Sequence, residues 1–123
     1  MKAKSVRIFT DGSGQRLDGK GSGVAWYRED THEKLVTRID GLTNNQAEYK
    51  AILSALEHLS PGDLAQILTD SENTCCQLNG TRRVLEPQLS KLYEQIQAVL
   101  KRKRLRIEFV WVPRRENLAG KLL

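Results

Sequence analysis

The order in which strand-like and helix-like hydrophobic patterns follow one another along the sequence constrains the fold of this chain more than any other feature. Residues 5–10, 24–27 and 34–39 show the two-residue period of strands before any helical period begins. Helical and strand-like segments then alternate, so the predicted order is β-β-β-α-β-α-α-β-α. Meander strands pair antiparallel, whereas strands joined through a helix pair in parallel. The sequence therefore predicts an α/β fold whose mixed five-stranded sheet, three antiparallel meander strands plus two parallel strands, is flanked by helices.

Capping and turn residues bound the later elements. Thr43 and Gln46 have the spacing of a capping box, which predicts a helix from there to the residue before Pro61. Pro87 suits the first turn of a longer helix. The remaining predictions are a short buried strand at 66–69, a short helix at 71–78, a strand at 105–112 and a helical segment from about Glu116.

Size and composition predict a single domain over residues 1–123. The chain has 39% hydrophobic and 28% charged residues, which excludes a disordered tail, and its apolar runs are shorter than the roughly 20 residues of a spanning helix. The basic N-terminal residues lack the apolar region of a signal peptide. Cys75 and Cys76 are adjacent, which suits two small apolar residues in a reducing compartment. We expect a cytoplasmic monomer with no membrane contact and no small-molecule cofactor.

Positive charge is concentrated in the C-terminal part of the chain. The net charge is +5, and residues 80–123 contain eleven Lys and Arg against four Asp and Glu. Residues 1–79 have a small acidic excess. A basic half beside an acidic half suits a polyanion that approaches a carboxylate site, although charge runs are usually solvated surface.

Three carboxylates occupy positions that point to metal chemistry. Asp11 and Asp70 each follow a predicted strand, and Glu48 shares the buried stripe of the first helix. If the two strands are parallel neighbours, the three side chains meet at one edge of the sheet. Each alone could be a turn residue or a helix-dipole partner. Together they need a cation, and oxygen ligands favour Mg²⁺ or Mn²⁺, which points to phosphodiester chemistry.

Four groups of residues resemble the motifs of the type 1 ribonuclease H family. They are Thr10-Asp11-Gly12-Ser13, Asn44-Asn45-Gln46-Ala47-Glu48-Tyr49, Thr69-Asp70-Ser71-Glu72 with Gln77-Leu78-Asn79-Gly80, and Trp111-Val112-Pro113-Arg114-Arg115-Glu116-Asn117. The resemblance runs from about Val6 to the last residue. It implies the RNase H-like fold, which agrees with the element order predicted from periodicity.

The resemblance implies an endonuclease that hydrolyses the RNA strand of an RNA–DNA hybrid duplex with two divalent ions, Mg²⁺ or Mn²⁺. Asp11, Glu48 and Asp70 would bind these ions and carry catalysis. Other matched residues would face the minor groove, where the 2′-hydroxyl distinguishes RNA from DNA. These are the backbone amides of Gly12 and Ser13 and the side chains of Asn44, Asn45, Gln46 and Glu72. Helix capping is the alternative for residues 44–46, and a first-turn helix acid is the alternative for Glu72.

The chain departs from the family pattern at the fourth carboxylate, an Asp on the last helix. One alignment places Gly120 at that position, and another places Lys121 there. We expect Asn117 to replace this Asp as a catalytic residue and metal ligand through its neutral oxygen, with Glu116 as the alternative. The same departure leaves open a catalytically impaired domain that binds hybrids or double-stranded RNA. Another nuclease or transposase core is a third interpretation, which residues 44–46 disfavour.

The substrate-gripping groups also differ from those of many family members. No histidine follows His58, and Arg114 and Arg115 occupy the loop where many members have one. These arginines are predicted to bind phosphate, with a solvated loop as the alternative. The basic insertion of some members is missing, and residues 82–83 and 101–104 are candidates to replace it by phosphate attraction. Residues 101–104 could instead be cations at a helix C-terminus.

Overall fold

The computed structural model describes residues 5–14 and 21–123, so most of the basic N-terminal segment lies outside the described part. Its elements are β1 (Val6–Ser13), β2 (Ser22–Arg28), β3 (Lys34–Ile39), α1 (Asn44–His58), β4 (Leu64–Thr69), α2 (Glu72–Leu78), α3 (Pro87–Arg102), β5 (Arg106–Trp111) and two 3₁₀ helices, Arg114–Glu116 and Gly120–Leu122. None of the helices in these two ranges is both long enough and apolar enough to cross a membrane.

The sheet has the predicted mixed topology. Its strand order is β3-β2-β1-β4-β5, with β1 in the centre. The first three strands pair antiparallel in a meander, whereas β4 pairs in parallel with both β1 and β5. The β1–β4 ladder ends at the pair Thr10 and Thr69. The residues that follow, Asp11 and Asp70, therefore share one edge of the sheet.

The two faces of the sheet are covered by different parts of the chain. Ile8 of β1 and Ile67 of β4 belong to the larger core cluster, which also contains residues of α1, α2 and α3. Their neighbours Phe9 and Leu68 point the other way and pack with Ala119 and its C-terminal neighbours. The helices thus bury one face, and the C-terminal segment buries the other beside the edge that carries the two aspartates.

Helix α1 begins and ends at specific hydrogen bonds. The Thr43 hydroxyl accepts from the Gln46 backbone N–H, and the Gln46 side chain accepts from the Thr43 N–H, which confirms the predicted capping box. At the other end, Lys103 Nζ donates to the carbonyl oxygens of Glu57 at 2.5 Å and Leu59 at 2.8 Å. One cation of the basic run at 101–104 therefore caps a helix C-terminus, but that helix is α1 and not its own.

Strand β1 is longer than predicted. We expected a strand over 5–10, but the strand continues through Ser13. The reason is that β2 keeps pairing with β1 up to Ser13 opposite Gly23, after β4 has ended. Asp11 thus lies within a strand rather than after one, while Asp70 follows its strand as predicted.

The predicted last helix does not form as an α-helix. The chain instead makes 3₁₀ turns on either side of Asn117. The Asn117 side-chain oxygen accepts from the Ala119 backbone N–H at 3.1 Å. A side chain that bonds to backbone two residues ahead competes with the helical pattern, which explains the interruption.

Candidate active site

The structure brings the three predicted carboxylates together. One carboxylate oxygen from each of Asp11, Glu48 and Asp70 lies within 4.8 Å of the others. Asp11 and Asp70 come from the ends of the β1–β4 ladder, and Glu48 comes from the second turn of α1, which packs over these strands. Asp11 and Glu48 are only 9% and 7% exposed, so the cluster is largely shielded from water on the helix side.

Gly12 makes the approach of Glu48 to Asp11 possible. A Cβ atom at this position would lie 2.2 Å from the backbone carbon of Ala47 and 2.4 Å from the backbone nitrogen of Glu48. No side chain fits at such distances, so only glycine lets α1 lie directly against β1. The sequence indicated Gly12 as a substrate-facing residue, and the structure adds this packing role.

Burial and mutual repulsion make the cluster difficult to ionise. Burial, followed by the charges of Asp11 and Asp70, raises the pKa of Glu48 to about 9. Burial and the charge of Asp70 raise the pKa of Asp11 to about 6, although a hydrogen bond with Glu48 and the nearby Arg114 guanidinium partly oppose this rise. At neutral pH the cluster therefore retains a proton unless a cation compensates its negative charge.

A hard divalent cation fits the donor atoms of the cluster. All three donors are carboxylate oxygens, the ligand type that Mg²⁺ and Mn²⁺ prefer. In addition, Glu48 Oε2 is buried without a hydrogen-bond partner within residues 5–14 and 21–123, as is Ser13 Oγ. A buried carboxylate oxygen without a partner is costly, and binding of an ion would satisfy it.

Asn117 lies at the site, with its nitrogen toward Asp70. The residue is fully buried, and its Nδ2 donates to Asp70 Oδ2 at 3.0 Å and to the Thr10 carbonyl at 2.9 Å. Its Oδ1, the atom expected to bind a metal ion, accepts from the Ala119 N–H instead. This geometry presents hydrogen-bond donors to the carboxylate cluster.

The C-terminal segment forms a mixed-charge pocket beside Asp11. The pocket has a volume of about 380 Å³, and its walls include Arg114, Arg115 and Lys121. A Cβ at Gly120 would lie 3.3 Å from Asp11 Oδ2, so position 120 faces the cluster directly. Glu116 is exposed in the first 3₁₀ helix and does not belong to the carboxylate cluster.

The residues predicted to face the minor groove are largely committed to local structure. Asn44 Oδ1 accepts from the Gly14 N–H at 2.6 Å. The Gln46 side chain closes the capping box and donates to Gln88 of α3. Asn45 is half-buried, and Glu72 is an exposed acid in the first turn of α2. The capping interpretation of residues 44–46 is thus correct for Gln46. Asn44 has an exposed side chain that instead binds the backbone at the end of β1.

Trp111 begins the fourth motif, but the sequence assigned it no functional role, and the structure makes it a neighbour of the site. Its indole Nε1–H donates to the Asp70 carbonyl oxygen at 3.2 Å, and its side chain is half exposed. Because it lies at the end of a strand with alternating hydrophobic residues, the sequence pattern favours a role in core packing. The contact with Asp70 depends on the parallel register in which Thr69 lies opposite Trp111.

A family model described as RNase H matches residues 3–119 of the chain. Among curated relatives, the bifunctional protein Rv2228c of Mycobacterium tuberculosis is 39% identical over 77 residues, which are 61% of this chain and 21% of that protein. Ribonuclease H of Haemophilus influenzae is 36% identical over 70 residues, 56% of this chain and 46% of that protein. The matched segments thus span less than half the length of these relatives.

Solved structures match over nearly the whole chain. The N-terminal RNase H domain of Rv2228c from M. tuberculosis, solved as a fusion with maltose-binding protein, has a TM-score of 0.80 at 30% identity, covering 96% of this chain and 89% of that one. LC11-RNase H1, isolated from compost and solved in complex with an RNA/DNA hybrid, has a TM-score of 0.81 at 27% identity, covering 96% and 93%. These similarities confirm the predicted fold.

Proposed function

The chain belongs to the RNase H family, and from that premise we propose that it hydrolyses the RNA strand of RNA–DNA hybrids with divalent metal ions. The observation that carries the proposal is the cluster of Asp11, Glu48 and Asp70, whose oxygens converge within 4.8 Å at the edge of a parallel strand pair. The hybrid-bound LC11-RNase H1 supports a hybrid as substrate, since the two chains share one fold.

The proposed chemistry uses two ions, Mg²⁺ or Mn²⁺, with Asp11, Glu48 and Asp70 as protein ligands. When bound, such ions activate the attacking water and stabilise the leaving 3′ oxygen. The buried position of Glu48 and Asp11 keeps water away from the helix side, so charge interactions there are stronger than in solvent. We propose that Asp11, Glu48 and Asp70 are the protein ligands and that Asn117 is not, because its side-chain oxygen accepts from the Ala119 N–H.

The pocket beside Asp11 is the proposed entry point of the RNA backbone. Arg114 and Arg115 line it and are proposed to bind phosphate oxygens of the substrate. Gly12 and Ser13 line the same pocket. Their backbone is proposed to face the minor groove together with Asn44, Asn45, Gln46 and Glu72. The 2′-hydroxyl would supply the selection for RNA there.

A catalytically impaired hybrid- or double-stranded-RNA-binding domain is the second candidate. The observation that favours it is that either Gly120, which faces Asp11, or the cationic Lys121 next to it stands at the position of the fourth carboxylate, and neither can supply a negative charge. Such a domain would bind through phosphate contacts, so its affinity would fall steeply with salt.

The test is a cleavage assay on an RNA–DNA hybrid labelled on the RNA strand, with Mg²⁺ and Mn²⁺ titrated separately. We expect metal-dependent cleavage by the wild type, a loss of at least about 100-fold for Asp70→Asn because a ligand charge is removed, and little change for Asp63→Asn, an aspartate in the turn before β4. No cleavage at any metal concentration, with salt-sensitive hybrid binding retained, would favour the second candidate.

The proposal also places the protein in the cytoplasm as a monomer. Cys75 and Cys76 are both free thiols, which suits a reducing compartment. The carboxylate cluster and the pocket beside it are built from one copy of the chain, so one copy suffices for the proposed site. Size-exclusion chromatography with light scattering measures the oligomeric state directly.

A further inference from the structure

We propose that Asn117 is a positioning residue that holds Asp70 by hydrogen bonding, and not a ligand that offers its oxygen to a metal ion. The inference rests on the proposed function, because positioning Asp70 matters only if Asp70 binds an ion or substrate. It assigns the residue a role different from the one that its place in the sequence suggests.

The hydrogen-bond partners of Asn117 determine the orientation of its amide group. Nδ2 faces two acceptors, the Thr10 carbonyl at 2.9 Å and Asp70 Oδ2 at 3.0 Å, and Oδ1 faces one donor, the Ala119 N–H at 3.1 Å. If the amide were rotated by 180°, its oxygen would face the oxygens of Thr10 and Asp70, and its NH₂ group would face the Ala119 N–H. All three hydrogen bonds would then be lost. Because the residue is fully buried, water cannot replace them.

The position of Asn117 lets it set the distance between the two aspartates. The β1–β4 ladder ends at Thr10 and Thr69, and beyond that pair no backbone ladder joins the two strands. The Asn117 NH₂ group bridges this end, from the carbonyl before Asp11 to the carboxylate of Asp70. One side-chain amide thus connects the two strands just beyond their last backbone pair, at the position of the two aspartates.

Asp70 is consequently held at two points. Asn117 binds its carboxylate, and the Trp111 indole N–H binds its backbone carbonyl at 3.2 Å. The hydrogen bond to Oδ2 fixes the orientation of the Asp70 carboxylate and so the position of the oxygens that it could offer to an ion. Groups that hydrogen-bond to metal ligands in this way typically change metal affinity by about 10- to 100-fold when removed.

The first experiment observes the Asn117 side-chain amide of the wild-type protein by NMR, in EDTA and after addition of Mg²⁺. Both NH₂ protons are expected to exchange slowly with solvent in both conditions, with little change in the side-chain carbonyl resonance. Fast exchange in EDTA would overturn the proposal, because the NH₂ group would then lack its buried acceptors. A large carbonyl shift with Mg²⁺ would overturn it as well, because the oxygen would then bind the ion. The EDTA result does not depend on metal binding, so it separates this inference from the proposed function.

The second experiment measures Mn²⁺ binding by calorimetry for the wild type, Asn117→Ala and a control, Gln77→Ala. Gln77 is also a buried amide; it donates to the Arg83 carbonyl at 3.1 Å and accepts from the Tyr49 hydroxyl at 2.6 Å, and neither partner is a carboxylate. We expect Asn117→Ala to weaken Mn²⁺ binding by about 10-fold or more, and Gln77→Ala to leave it within about twofold while lowering the melting temperature.

Equal Mn²⁺ affinity for Asn117→Ala and the wild type would overturn the positioning role and leave Asn117 a purely structural residue. If the wild type itself binds no Mn²⁺, the proposed function fails, and slow exchange of the Asn117 amide in EDTA would still support the hydrogen-bonding arrangement. If Asn117→Ala does not fold, the NMR measurement on the wild type decides.

Discussion

The two sides of the candidate site are built in different ways. On the strand and helix side, regular secondary structure places Asp11, Glu48 and Asp70, and a glycine at position 12 lets the helix approach the strand closely. On the C-terminal side, two 3₁₀ turns are fixed by the hydrogen bonds of a single side chain, Asn117. The first side therefore depends on close packing of the backbone, whereas the second depends on the hydrogen bonds of one buried side chain.

The largest effect is expected on the strand and helix side, from Gly12→Ala. The new methyl group would overlap the backbone of Ala47 and Glu48 at 2.2–2.4 Å, which displaces α1 from β1. We expect a loss of about 3 kcal/mol or more in the free energy of unfolding, together with loss of Mn²⁺ binding. Urea unfolding and calorimetry measure the two quantities.

A suitable control for that variant is Gly62→Ala. Gly62 has a positive φ of 83° but open space around it, so the substitution should cost about 1 kcal/mol through backbone strain alone. If Gly12→Ala costs no more than Gly62→Ala, the close approach of helix and strand is not what positions Glu48.

A smaller effect, an increase in Mn²⁺ affinity, is expected on the C-terminal side from Gly120→Asp. The added carboxylate would lie next to Asp11, whose Oδ2 is 3.3 Å from the Cβ position. We expect Mn²⁺ affinity to rise by about tenfold, or ~1.4 kcal/mol, since a further unit charge joins the cluster. The neutral Gly120→Asn is the matched control. A gain for Lys121→Asp and none for Gly120→Asp would show that Lys121 holds the position of the missing carboxylate.

A separate prediction concerns the pH dependence of stability without metal ions. Because the folded state raises the pKa of Glu48 to about 9 and that of Asp11 to about 6, it holds protons that the unfolded chain releases. Stability in EDTA should therefore fall as the pH rises from about 5 to 9. Glu48→Gln removes the main contribution and should flatten this fall.

Thermal unfolding across this pH range, in EDTA, compares Glu48→Gln with Glu57→Gln, an exposed glutamate of the same helix. The Glu57 variant is expected to follow the wild-type curve. Parallel curves for the wild type and Glu48→Gln would mean that burial of Glu48 does not control the charge state of the cluster.

The sequence predicted the regular side of the site better than the irregular side. Hydrophobic periods and the capping box gave the element order and α1, and the parallel placement of β1 and β4 then brought Asp11 and Asp70 together. The prediction ended β1 at residue 10, because the Asp-Gly pair there is typical of a turn. It missed that β2 continues to pair with the strand.

On the C-terminal side, local pattern was a poor guide. A helical segment was predicted from about Glu116, but Asn117 uses its oxygen on the Ala119 N–H and interrupts the helix. The direction of an amide group depends on partners from distant strands, here the Thr10 carbonyl and Asp70. The spacing of residues in one sequence does not give the direction of a side-chain amide. That Asn117 directs its nitrogen toward Asp70 could therefore come only from the structure.

The central claim is that Asp11, Glu48 and Asp70 form a divalent-metal centre. A crystal structure of the protein soaked with Mn²⁺, with anomalous diffraction to locate the ion, tests this most directly. We expect an anomalous peak within bonding distance of oxygens from all three carboxylates, with Asn117 still donating to Asp70. Mn²⁺ bound elsewhere, or no peak at the cluster with the carboxylates in these same positions, would contradict it.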